Sequence, residues 1–220
     1  PVLSVHAPVL PFSQFVWSTD PAQKLERSAE LAVELGATTV VVHPPYRWQP
    51  RYSHRFQDHV REVATTYGVE VAVENMFPLA AGPVTINPFS REGAPDARTL
   101  DFSHAALAGR DSLELAMAAG DSLRHVHLCD GRGGHVDAHL VPGRGSQPVA
   151  EVLQYLASRD WSGSLIAEVA TRGARDEAGR LAMLTETVQF ARRNILAPCP
   201  SSTTRSTVTG SGRPSRSPST

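Results

Sequence analysis

The sequence reads as an α/β fold built on a parallel sheet. Six short runs rich in Val, Ile and Leu show little alternation, and helix-period segments lie between them. Strands buried on both faces give such unbroken apolar runs, and strand alternating with helix argues for parallel pairing. A third observation locates the chemistry: every run ends on His, Asp or Glu.

The runs are Val2–His6, Thr38–His43, Val69–Glu74, Arg98–Asp101, Leu123–His127 and Ser164–Glu168. After the first, Asp20-Pro21 supplies an N-cap and a first-turn proline. Leu25, Ala29, Ala32 and Leu35 form the expected inner face of that helix, and Gly36 stops it. Phe56, Val60, Val63 and Tyr67 mark a second helix closed by Gly68. Asp111 to Ala119 gives a shorter one before Gly120. Pro148 opens another, with Val149, Val152, Leu153 and Leu156 inward. Arg175 to Asn194 is the last, with Leu181, Leu184 and Val188 expected on its buried face. Phe77 to Ala97 breaks the rhythm with proline and glycine and reads as a long functional loop, in the manner of a lid. Ser201 to Thr220 is rich in Ser, Thr, Arg, Pro and Gly; residues 197–220 are expected to form a disordered tail after a domain of 1–196.

With 220 residues, the chain has room for one sizeable core. Its 41% hydrophobic and 20% charged residues suit a soluble globule, and a net charge of -1 gives no support to a strongly basic nucleic-acid surface. Two cysteines without a C-x-x-C pair argue against a disulfide scaffold or a thiolate zinc site. No apolar run reaches the roughly 18 residues of a membrane span, no signal peptide opens the chain, and the default location is cytoplasmic. The chain opens on Pro1 and enters a strand-like run at once, as a processed chain or a fragment does.

Ligands of parallel α/β folds sit at the carboxyl ends of strands. Here those ends carry His6, His43, Glu74, Asp101, His127 and Glu168. Asp101-Phe-Ser-His104 adds a histidine, and Asp137-Ala-His139 lies in the loop after the fifth run, ahead of Gly143-Arg144-Gly145. Imidazoles and carboxylates without thiolate suit Zn²⁺, Mn²⁺, Co²⁺ or Fe²⁺. Nine such groups are more than one ion needs and invite two or three. His125-Val-His127 points two imidazoles the same way. His54 and His59 are expected on a helix surface, His135 in solvent, and Cys129 packed. Trp17, Trp48 and Trp161 are expected to pack in the core or rim.

At these residues the sequence resembles the xylose-isomerase-like TIM-barrel superfamily, which includes sugar-phosphate isomerases and epimerases and the family 2 apurinic/apyrimidinic endonucleases. The matching pieces are Val5-His6-Ala7-Pro8, Val42-His43-Pro44, Val73-Glu74-Asn75, Leu100-Asp101-Phe-Ser-His104-Ala105, His127-Leu-Cys-Asp130, Asp137-Ala-His139 with Gly143 and Gly145, and Ala167-Glu168. The resemblance implies a (β/α)8 TIM barrel, here with about six βα units because the His6 strand is similar to the family's third. It implies an N-terminally truncated barrel with unpaired edges. It also implies a metal centre of Glu74, Asp101, His127 and Glu168, with the two glutamates moving protons and His104 contacting substrate in the isomerases. In the endonucleases it implies a second ion at His6 and His43 bridged by Glu74, and a third at His104, Asp137 and His139.

The first expectation is a sugar or sugar-phosphate isomerase or epimerase, using one to three divalent ions (Zn, Mn, Co or Mg), an enediolate and the acid/base pair Glu74 and Glu168. Arg132 or Arg144 would hold a phosphate. The alternative is a multinuclear phosphodiesterase of the abasic-site endonuclease type. The loop after His6, Ala-Pro-Val-Leu, lacks a wedging aromatic, so nucleic acid is not favoured as partner. A third reading is a metal-binding relic without activity. The sequence leaves the oligomeric state open.

Overall fold

The computed structural model describes residues 1–9, 13, 15–77, 89 and 95–196. Six parallel strands form one sheet in chain order: β1 (Ser4–His6), β2 (Thr39–Val42), β3 (Glu70–Glu74), β4 (Ala97–Asp101), β5 (Leu123–Leu128) and β6 (Ser164–Ala167). The register sets His6 beside Val41, Glu74 beside Thr99, and Asp101 beside His127. The sheet curls into a nearly closed TIM-type barrel. Ser4 Oγ of β1 lies 3.1 Å from His125 Nε2 of β5, across the interior. β1 and β6 stand at the two ends of the sheet.

The helices follow from local signals. Helix α1 (Pro21–Leu35) starts where the Asp20 side chain accepts the Ala22 amide, and it ends at Gly36 in a left-handed conformation. Gly68 closes α2 (Pro50–Tyr67) in the same way. Helix α3 (Phe102–Leu107) is an addition: its six residues are too few to show a helical period. Helices α4 (Ser112–Ala119), α5 (Val149–Ala157) and α6 (Glu177–Ile195) occupy the expected segments.

Two apolar cores lie behind the sheet. Val40, Val42, Val71 and Val73 pack with Leu25, Ala29 and Ala32 of α1 and Phe56, Val60 and Val63 of α2. Leu100, Leu123, Val126 and Leu128 pack with Leu115 of α4 and Val152, Leu153 and Leu156 of α5. Each fully buried large side chain contributes about 1.5–3 kcal/mol to this scaffold.

Three expectations are corrected. Leu35 is exposed, because it falls about 80° off the Leu25–Ala29–Ala32 stripe at 3.6 residues per turn. Leu181, Leu184 and Val188 are exposed too. Helix α6 turns a different stripe inward, with Thr187 and Ala191 buried and Phe190 packed on the core. His59 is buried, its ring between Tyr52 Oη at 3.1 Å and Glu26 Oε1 at 3.1 Å. Those two partners satisfy both ring nitrogens, so burial leaves no polar atom orphaned. His54 and His135 are exposed and Cys129 is buried, as expected. Trp161 packs and donates its indole N–H to the Leu123 carbonyl, Trp48 stacks on the buried Tyr46 at a half-exposed rim, and Trp17 is exposed. Most of the expected loop Phe77–Ala97 and all of the tail 197–220 lie outside the described residues. Among the described residues no helix is long and apolar enough to cross a membrane.

Candidate metal centre

Parallel strands end on one side of a barrel, so side chains at their carboxyl ends converge there. His6, Glu74 and Asp101 are the last residues of β1, β3 and β4, and His127 is next to last in β5. His43 and Glu168 each follow a strand end by one residue. His104 joins them from the first turn of α3. There Asp101 Oδ1 accepts the His104 amide at 2.7 Å and so caps the helix. Asp137 and His139 enter from the loop after β5, with His139 at a positive φ of 40°. All nine residues singled out in the sequence meet in this one cluster.

Glu74 is its centre. Oε2 faces His6 Nε2 at 3.2 Å and His43 Nε2 at 3.0 Å. Oε1 faces His104 Nδ1 at 2.9 Å and His127 Nδ1 at 3.2 Å. Asp101 Oδ2 lies 3.4 Å from His127 Nδ1 and 3.3 Å from His139 Nε2. Asp137 reaches His104 Nε2 at 3.3 Å and His139 Nδ1 at 3.4 Å. Glu168 Oε2 reaches His127 Nδ1 at 2.8 Å. The floor of Glu74, Asp101, His104 and His127 is buried, while His6, Asp137 and Glu168 form a more exposed rim.

This donor set suits divalent cations. His127 Nδ1 faces three carboxylate oxygens, of Glu74, Asp101 and Glu168, at 3.2, 3.4 and 2.8 Å. A single N–H serves one of them well, whereas a cation among the four atoms serves them all. Among the described residues, three groups bring ligand atoms within 4.8 Å of one another: His6 with His43 and Glu74, Asp101 with His104 and His139, and Glu74 with Asp101 and His127. The first and third share Glu74, and the second and third share Asp101.

The electrostatics agree. Burial alone would raise the Glu74 carboxyl, but the charges of His127, His43 and His104 hold it well below the usual range. Asp101 is likewise lowered, burial being outweighed by His104, His127 and His139. Burial pulls the His104 and His127 imidazoles down, yet Asp101, Glu74 and their other acidic contacts hold both well above the ordinary value. His43 is lowered by burial, which exceeds the pull of Glu74. His125, beneath His127, is pushed down to about 3 by burial and by the His127 charge, so it is neutral.

The two arginines expected to hold a phosphate are engaged elsewhere. Arg132 donates to the Arg144 carbonyl, and Arg144 pairs with Glu186 of α6. Three further residues shape the site. Asn75 pairs with the Asp101 backbone in both directions, at 2.9 and 2.7 Å. Ser103 bonds Asp137, and the Asp130 carboxylate accepts four amides of the 131–147 loop. Each acts through groups distant in sequence, so no periodicity marks it; their place in motifs around the ligands was the available signal.

A family model described as xylose isomerase-like TIM barrel matches residues 3–193. An uncharacterized protein of Mycobacterium leprae (strain TN) is 48% identical over 221 residues, covering 89% of this chain and 79% of its own. Among solved structures, a D-tagatose 3-epimerase-like protein is similar at a TM-score of 0.62 and 24% identity, over 87% of this chain and 79% of that one. Endonuclease IV from Thermus thermophilus is similar at a TM-score of 0.59 and 24% identity, over 86% and 76%. The IOLI protein with a binding zinc atom is similar at 0.57 and 15%, over 88% and 76%. At these identities the structures speak to the fold.

Proposed function

From the premise that this chain belongs to the xylose isomerase-like TIM barrel family, we propose that it is a multinuclear divalent-metal enzyme that hydrolyses a phosphate ester, in the manner of the abasic-site endonucleases. The observation that carries this is Glu74, whose two oxygens each face a separate pair of imidazoles. A carboxylate used on both sides suits a bridge between ions better than a proton carrier in a one-ion isomerase.

In this reading His6, His43 and Glu74 would hold one ion. Asp101, His104, Asp137 and His139 would hold another, and Glu74, Asp101, His127 and Glu168 a third. Divalent ions there supply Lewis acidity and offset the charge of a phosphoryl group. Without cations the four carboxylates of the cluster would repel such a substrate. Glu168 is half exposed on the rim and held by His127, which supports a role for it in orienting an attacking water from the solvent side.

A second reading, the sugar or sugar-phosphate isomerase or epimerase, is favoured by one observation. Glu74 and Glu168 approach the same His127 nitrogen at 3.2 and 2.8 Å, an arrangement in which two glutamates flank one ion position. The readings separate on purified protein. Metal analysis with an abasic-site oligonucleotide assay is expected to give two or three ions per chain and strand cleavage. One ion per chain, no cleavage, and exchange of ketose C3 protons with deuterated solvent would sink the first reading and support the second.

A further inference from the structure

The loop 131–147 carries Asp137 and His139 into the cluster, yet it contains no helix or strand beyond one isolated bridge, Asp130 with Leu140. Two buried side chains outside the cluster fix its shape. The first is Asp130, just past β5 and buried. Its Oδ1 accepts the amides of Gly131 at 2.8 Å and Gln147 at 3.2 Å. Its Oδ2 accepts those of Gly143 and Gly145, both at 2.9 Å. One carboxylate thus ties the departing and returning arms of the loop at their base. Gly145 is required there, since a Cβ would overlap Asp130 Oδ1 and the Gly131 carbonyl.

The second is Ser103, fully buried in α3 between the ligand positions 101 and 104. Its hydroxyl donates to Asp137 Oδ1 at 2.6 Å and accepts the amides of Ala138 and His139, each at 3.2 Å. It therefore holds both loop ligands, one by its side chain and one by its backbone. His139 needs that support, because its left-handed backbone is unfavourable for a residue with a Cβ. The Ala170 amide adds a third tie, to the His139 carbonyl at 2.8 Å.

We infer that Ser103 and Asp130 are positioning residues that preassemble the 131–147 loop, so that the ion position at Asp101, His104, Asp137 and His139 depends on them while that at His6, His43 and Glu74 does not. The inference rests on the multinuclear reading above. A loop already shaped loses less entropy when the ion arrives, and groups that orient metal ligands change affinity about 10–100-fold when removed. Asp130→Asn is the sharper substitution: it keeps the shape but turns an NH₂ toward two amides that need an acceptor.

The test is Co²⁺ titration of the full chain after chelator stripping, followed by visible absorption, for wild type, Ser103→Ala, Ser103→Thr and Asp130→Asn. Ser103→Ala and Asp130→Asn should each weaken one cobalt position about 10–100-fold and remove its absorption bands, with the position at His6, His43 and Glu74 unchanged and Ser103→Thr restoring the hydroxyl's effect. Wild-type titrations and spectra in both variants would overturn the inference, as would loss of every ion together in folded variants. A wild-type chain that binds no cobalt would instead overturn the metal reading beneath it. Amide exchange on stripped wild-type protein reads the preassembly without any variant. Slow exchange at Ala138, His139, Gly143 and Gly145 is expected, and exchange there at the rate of an open chain would refute it.

Discussion

Asp101 accepts the His104 amide at 2.7 Å with one carboxylate oxygen and turns the other toward His127 and His139. One side chain is both the cap of α3 and a candidate ligand, and the two roles separate by substitution. Asparagine caps as well as aspartate, whereas alanine does not. In stripped protein, Asp101→Asn should therefore be more stable than Asp101→Ala by roughly 1 kcal/mol. Both should lose metal-dependent turnover by more than about 100-fold. Chemical denaturation beside activity assays decides it; an active Asp101→Asn protein would remove this residue from the ligand set.

Glu74→Gln should weaken two ion positions at once, since Oε1 and Oε2 serve different imidazole pairs. Glu168→Ala should affect only the position shared with His127. Calorimetric titration with Zn²⁺ on each variant separates them. Equal losses in the two would argue against Glu74 as a bridge.

Proton counting gives a third prediction. His104 and His127 are held well above the ordinary imidazole value by their acidic neighbours, so both carry protons near neutral pH in stripped protein. Ions compete with those protons, so binding should release protons and weaken as pH falls. Without ions, the raised imidazoles stabilise the fold below their unfolded value, and this is lost as pH rises through their folded range. The lowered Glu74 and Asp101 stabilise it above their unfolded value, and this is lost on acidification through theirs. Melting of stripped protein across pH should show a maximum between the two ranges. Titration in buffers of different ionisation enthalpy reads the released protons; no dependence on buffer would contradict the protonated imidazoles.

His59→Ala should destabilise the fold by about 2–4 kcal/mol, because it leaves a cavity in α2 and takes a partner from Tyr52 and Glu26. Ion binding should be unchanged once the variant is folded. A urea midpoint equal to wild type would place His59 on the surface after all.

The strand ends were legible because a parallel barrel sends them to one side, so an apolar run closing on His or Glu already states a direction. His59 was not legible: a helix pattern scores histidine as polar, and only the distant Glu26 makes it a satisfied interior residue. On α6, Leu181, Leu184 and Val188 form as good an apolar stripe as the one that packs, so periodicity alone does not choose its buried face. Ser103 and Asp130 stand inside the quoted motifs, but no periodicity states their roles, since their partners include backbone amides far along the chain. A bridging Glu74 is implied by the resemblance, but the division of its two oxygens between His6 with His43 and His104 with His127 follows only from the fold.

The two apolar cores have a thermodynamic consequence. Glu74 belongs to the strands of the first and Asp101 to those of the second, so the cluster straddles the seam at β3 and β4. Ions held by both carboxylates would staple one half of the sheet to the other. Loading should therefore sharpen unfolding as well as delay it, converting a broad or two-step melt of the stripped chain into a single cooperative transition.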